Sequence, residues 1–213
     1  MIMDDVKILR KLAYEYFKIA YSDKNFENIK LHKAVNDLKQ IRPVVLIDEL
    51  PWNEMNINNE LTLQCSDEYL RKIEWFMRSS IYKNKYMPAD MIVQPFIPID
   101  KIINSTGIGI SIDEEVLITN ELSDIKSHKY KDVLKDEEDL ADLHDPVITY
   151  DMEKTLKRYY MVGEILGDIL PVKLAGVGYF AVTTWDDIAR YRGVTNLLID
   201  LAERPEFMHK IVQ

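Results

Sequence analysis

Helical and strand-like apolar patterns alternate along this chain. Across residues 4–20, Val6, Leu9, Leu12, Ala13, Tyr16, Phe17 and Ala20 recur at three-to-four spacing, which predicts an amphipathic helix. Ser22 or Asp23 can cap a second helix, with Ile29, Ala34, Val35, Leu38 and Ile41 on one side, until Arg42-Pro43 ends the pattern. Val44-Val-Leu-Ile47 is then short and wholly apolar, as expected of a strand in a buried parallel sheet. Two later runs read the same way, at 91–97 and 170–176, so strands are expected at 44–48, 91–97 and 170–176. Ser66-Asp-Glu68 opens a third helix that runs to Tyr86. Residues 107–131 alternate instead, and predict a β-hairpin turning at Asn120–Asp124. A short acidic helix at 135–143 follows, then a long one from Met152 to Leu166, stopped by Gly167. Shorter helices are expected at 185–191, 193–202 and 206–212.

Candidate chemistry collects where the apolar runs end. Asp48 and Glu49 directly follow the first run, with Trp52 close behind. Carboxylates at a strand end are either pocket groups or members of a solvated loop. Gln94 is the polar residue of the second run, and Pro95 beside it cannot donate a ladder hydrogen bond. It reads as a pocket amide or as a satisfied buried one. The third run ends in Gly176-Val-Gly178-Tyr179, where glycines permit close backbone approach to a ligand or simply shape a tight turn. Strand-end position therefore marks Glu49, Gln94 and Tyr179 as catalytic candidates, and Asp48, Trp52, Gly176 and Gly178 as substrate-binding candidates. Glu49 would be a proton acceptor or polar anchor, Trp52 a wall, Gln94 a hydrogen-bond partner and Tyr179 a donor. His128, among lysines on the hairpin, reads as a surface histidine.

Charge and cysteine use narrow the classes. A net charge of -9 removes the electrostatic footprint of a nucleic-acid binder. One cysteine, Cys65, can form neither an internal disulfide nor a thiolate cluster, which fits a reducing cytoplasm. Met1-Ile-Met-Asp-Asp5 lacks the basic and apolar regions of a signal peptide, and no membrane span is expected. Walker, His-Glu-x-x-His and Cys-x-x-Cys motifs do not occur.

The series Asp136-Glu-Glu-Asp-Leu140, Gly163-Glu-Ile-Leu-Gly-Asp168, Leu170-Pro-Val-Lys-Leu174, the glycine turn and Leu201-Ala-Glu-Arg-Pro-Glu-Phe-Met-His209 resembles the uroporphyrinogen decarboxylase-like superfamily. That superfamily includes the decarboxylases and the cobalamin- or corrinoid-dependent methyltransferases. The resemblance covers most of the chain from residue 40 onward and implies an α/β fold, a TIM (β/α)8 barrel with its pocket at the strand C-termini. With three barrel strands in 213 residues, the chain corresponds to the N-terminal half of such a barrel, with the hairpin as an excursion. The expected organisation is an N-terminal helical segment, 1–42, followed by a partial barrel, 43–213. Such a half leaves strand edges open, to be covered by self-association or by a C-terminal half.

The resemblance also implies a choice of chemistry. The decarboxylases grip substrate carboxylates with an arginine-rich loop, where this chain has Asp48-Glu-Leu-Pro-Trp52, and carry a pocket aspartate where it has Gln94-Pro95. An acidic loop repels a polyanionic porphyrinogen. Corrinoid-dependent methyl transfer is therefore the expected relation, on a small-molecule or corrinoid-protein substrate. The alternatives are a uroporphyrinogen decarboxylase of tetrapyrrole biosynthesis and a non-catalytic half-barrel assembly module. A decarboxylase-like chain needs no cofactor. A full-length methyltransferase implies a corrinoid and zinc, yet its His-x-Cys and Cys ligands are not in this sequence, so no metal ligand is assigned here.

Overall fold

A computed structural model of the chain describes residues 2–39, 41–118, 126–178 and 183–213. Tyr179 and the expected turn at Asn120–Asp124 lie outside these. In chain order the elements are α1 (Ile2–Ala20), α2 (Asp23–Asn36), α3 (Glu68–Tyr86), β1 (Ile97–Asp100), β2 (Ile103–Ser105), β3 (Glu114–Leu117), β4 (Ser127–Tyr130), β5 (Ile148–Tyr150), α4 (Met152–Leu166), β6 (Val172–Ala175), α5 (Thr184–Arg192), α6 (Val194–Glu203) and α7 (Pro205–Val212). They form two compact units: Met1–Asp100 with Glu153–Gly176, and Lys101–Met152 with Val177–Gln213.

The first unit is built on one apolar core. The helical stripe of α1 delivers Leu9, Leu12, Ala13, Tyr16 and Ala20, all buried, against Leu70, Ile73 and Met77 of α3 and Val162, Ile165 and Leu166 of α4. Ile97 and Ile99 of β1 join them and are fully buried, each adding about 2–3 kcal/mol of apolar transfer. Asp67 caps α3 by accepting the N–H groups of Tyr69 and Leu70. Arg10 of α1 closes the C-terminus of α4, donating to the carbonyl of Ile165 and bidentately to Asp168. β1 pairs parallel with β6, Ile97 opposite Val172 and Asp100 opposite Ala175.

Two expectations change here. The second helix stops at Asn36, and Leu38 and Ile41 are left 92% and 82% exposed. Its inward residues are Asn25, Asn28 and Leu31 instead of the expected apolar side. The reason lies in the run at 91–97, where strand begins only at Ile97. Main-chain groups of 90–94 are satisfied by helix side chains. Asn25 both donates to and accepts from Val93, Asn28 donates to the carbonyl of Met91, and the Tyr16 hydroxyl donates to that of Gln94. Buried amides thus do the work of a neighbouring strand. The run 44–48 is likewise outside the paired strands, tied to this segment through Val45 and Asp90.

Three carboxylates fix the unit's loops. The N–H of Ser66, with that of Asp67, holds the Asp5 carboxyl below the ordinary carboxylate range. Burial opposes the charge of Glu74, but the N–H of Cys65, the Arg78 guanidinium and the N–H of Gln64 outweigh it and lower its pKa too. Asp90 is held well below its usual range by Arg42 and then by the N–H of Val45. Each folded-state pKa is depressed, so the stabilisation is complete above the unfolded value near pH ~4 and is lost as pH falls through the folded values. Thermal melts followed by circular dichroism should therefore be flat from pH 7 to 5 and fall steeply below about pH 4. Asp5→Asn should remove part of that acid slope.

The second unit carries two antiparallel pairs. β3 and β4 form the arms of the hairpin, Val116 opposite His128. β2 and β5 pair Ile103 with Tyr150 and Ser105 with Ile148, which the sequence patterns did not predict. The acidic stretch at 135–143 is a single 3-10 turn, Asp139–Asp142, not a helix. Asp139 accepts the N–H groups of Lys135 and Asp136, a local alternative to helical bonding. Arg192, nine-tenths buried, is gripped by Asp132 and Asp200.

Candidate functional site

One face of the β1–β6 pair, carrying Ile97 and Ile99, points into the helical core. Because side chains alternate along a strand, burying Ile97 and Ile99 sends Pro98 and Asp100 to the opposite face. The parallel register sets Lys173 beside Pro98 and Ala175 beside Asp100. Parallel sheets are ordinarily covered on both faces, so a face bearing Asp100 and Lys173 is unusual. Asp100 is exposed at the C-terminal end of β1; its side chain makes no hydrogen bond or ion pair among the described residues, and its charge acts on Tyr69 of α3. The Lys173 ammonium sits 4.5 Å from the ring centre of Phe96. Beyond Ala175, Gly176 leaves open space where a side chain would project. The edge thus combines an acceptor, a cation and an accessible backbone at the strand end where α/β sheets bind ligands.

Among the described residues, those singled out from sequence lie on separate segments. Asp48 and Glu49 are exposed on the segment after Val45. Trp52, on a 3-10 turn, packs against α3, with ring centres 5.3 Å from Trp75 and 6.3 Å from Tyr82. Gln94 precedes β1 instead of ending it, so it is not at a strand C-terminus. Its side chain is exposed and its carbonyl accepts from Tyr16 at 3.0 Å. Gly176 directly follows β6, in the first unit, and the exposed Gly178 belongs to the second. Asp100 and Lys173 were missed, although the alternations Ile97-Pro-Ile-Asp100 and Val172-Lys-Leu-Ala175 contain the signal. His128 pairs with Glu114 at 3.0 Å on the hairpin surface.

Two clefts are lined by charged groups, most of them already paired. One of about 370 Å³ is lined by Lys11, Glu60, Arg78 and Lys85, but Glu74 engages Arg78 and Glu60 engages Lys85. Another of about 390 Å³ lies beside Asp132 and Arg192, which are already paired. Among the described residues no three His, Cys, Asp or Glu side chains converge to hold a metal ion. Cys65 is buried, and burial, then Glu74, pushes its thiol up to about 12, which disfavours the thiolate that metal binding needs. The zinc implied by a methyltransferase is therefore not accommodated by these residues. No helix among the described residues is long and apolar enough to cross a membrane.

In comparison with known proteins, the chain matches no family model, no curated protein and no solved structure.

Proposed function

We propose that this chain is one side of a β/α-barrel enzyme of the uroporphyrinogen decarboxylase-like kind and takes part in corrinoid-dependent methyl transfer. Its ligand edge is the open face of β1 and β6. The observation that carries the reading is the parallel β1–β6 pair, apolar toward the helices and polar, with Asp100 and Lys173, on the other side. The order of the resembling segments supports the same class. Asp48 and Glu49 remain further acceptors proposed from sequence alone, and Tyr179, the donor proposed from sequence, lies outside the described residues.

Charge favours a corrinoid over a porphyrinogen. A porphyrinogen substrate carries several carboxylates, and this chain offers it a net charge of -9 and acidic strand-end loops. A corrinoid is fringed by neutral amides, which can donate to Asp100 and accept from Lys173. Zinc has no place in the proposal, because the donor set is missing. The cytoplasm is the compartment this reading expects, in keeping with the single cysteine.

Spectroscopic titration of the whole chain with cobalamin and, separately, with a porphyrin carboxylate tests it. Saturable binding of cobalamin without binding of the porphyrin is expected. The reverse pattern would move the chain to the decarboxylase branch, and binding of neither would leave the assembly-module reading in its place. Unchanged cobalamin binding in a Glu49→Ala, Gln94→Ala double variant would remove those two residues from the site.

A further inference from the structure

The cleft of about 370 Å³ in the first unit lies between α1 and α3 and falls within the ~300–1,000 Å³ of small-molecule sites. It is lined by positions 8, 11, 12 and 15 of α1 and 78, 81, 82 and 85 of α3, the i, i+3, i+4, i+7 face of each helix. Leu12 and Ile81 make part of it apolar. Three donors at this cleft are unspent. Arg78 gives its Nε to Glu74 and its Nη1 to the carbonyl of Glu60, while its Nη2 makes no hydrogen bond among the described residues. Tyr82 is 2% exposed; its hydroxyl accepts the N–H of Ile57, and the hydroxyl proton is given to nothing among the described residues. Lys11 makes no ion pair among the described residues, in contrast to Lys85, which engages Glu60 at 2.6 Å. A guanidinium already held on two sides loses little freedom when a ligand takes its third nitrogen.

We infer that this cleft binds an organic monocarboxylate with an apolar body. The guanidinium nitrogen, the ammonium and the hydroxyl proton are all donors, and an ionised carboxylate is an acceptor-only group with two oxygens to receive them. The apolar body lies along Leu12 and Ile81, between the two helices. The cations Lys11, Arg78 and Lys85 are matched in number by Glu15, Glu60 and Glu74. The site therefore offers directed donors and no large positive field, which suits one carboxylate and disfavours a phosphate dianion or a polycarboxylate. No residue of β1 or β6 lines the cleft, so binding here does not require binding at the strand edge.

Isothermal titration calorimetry of the whole chain with octanoate, octan-1-ol and octylamine tests this. An i to i+7 helix face is about 10 Å long, which an eight-carbon chain can follow. Saturable binding of one octanoate per chain is expected, with the alcohol and the amine at least about tenfold weaker because they cannot accept from all three donors. Lys11→Ala should weaken octanoate about fivefold. Lys18→Ala removes the same charge from α1 outside the cleft and should leave the affinity unchanged. Glu15→Gln removes a negative charge from the lining and should tighten binding. All three side chains are exposed, so the variants should melt like the parent. No saturable binding of octanoate, an alcohol or amine bound as tightly, equal losses in the two lysine variants, or weaker binding in Glu15→Gln would overturn the inference.

Discussion

Glu74→Ala is expected to lower the stability of the first unit by about 3–5 kcal/mol, the range for removing one partner of a buried ion pair. Glu74 is fully buried on α3 and accepts four hydrogen bonds: two from the N–H of Gln64, at 2.9 Å each, one from the N–H of Cys65 at 2.8 Å and one from Arg78 at 2.8 Å. Alanine strands a guanidinium whose side chain is only 12% exposed, together with two main-chain donors. Such groups cannot regain water without opening the loop before α3. Glu74→Gln keeps the shape and one acceptor, so it should recover part of the loss. Urea denaturation of the three proteins reads the effect. A midpoint for Glu74→Ala within error of the parent would mean that Arg78 and the loop are solvated.

Asn25→Ala should cost about 3 kcal/mol or more, because it leaves one buried donor and two buried carbonyls without this partner, at ~1–3 kcal/mol for each left unpaired. The Asn25 side chain is the hinge of the segment that leads into β1. It accepts the N–H of Val93 and donates to the carbonyls of Val93 and Ala20. Asn25→Asp preserves the acceptor but loses both amide donations, and should fall in between the parent and Asn25→Ala. Hydrogen exchange gives the local view: the amide of Val93 should lose protection in Asn25→Ala well before the amides of α3. Equal loss across the unit would mean that Asn25 supports the core generally and not the approach to β1.

These two residues also show why the sequence was legible in some places and not in others. The stripe of α1 and the cap of α3 follow from local rules, and Leu9, Leu12, Ala13 and Tyr16 lie where a three-to-four spacing puts them. The apolar run 170–176 likewise contains β6, whereas the run 91–97 meets β1 only at Ile97. Their boundaries were not local information. Met91-Ile-Val93 has the composition of a strand, but its partners are amides on α2, 63 and 68 positions of chain away and invisible to periodicity. Asn25 and Asn28 carry no inward signal in the sequence, since only the segment they bind makes them inward. β2 and β5 escaped notice because Ile103-Asn-Ser105 and Ile148-Thr-Tyr150 are short and fully exposed, with no apolar face to declare them.

The candidate edge was legible in outline only. The glycine turn at Gly176 led to the correct end of β6, because a buried run that stops at glycine marks a strand terminus. Asp100 was overlooked because Pro95 appeared to end its strand, whereas Pro95 lies before β1 begins. The helix-covered face had to be known before Pro98, Asp100 and Lys173 could be placed on the other.

Binding of cobalamin to the parent chain and to Ala175→Trp tests the account most directly. Ala175 lies on the open face beside Asp100, so an indole there should occupy the proposed edge without entering the helix-covered core. The parent should bind, and the variant, with an unchanged circular dichroism spectrum, should bind at least about tenfold more weakly, a loss of ~1.4 kcal/mol or more. Equal affinity of the two proteins would contradict it and place the ligand elsewhere.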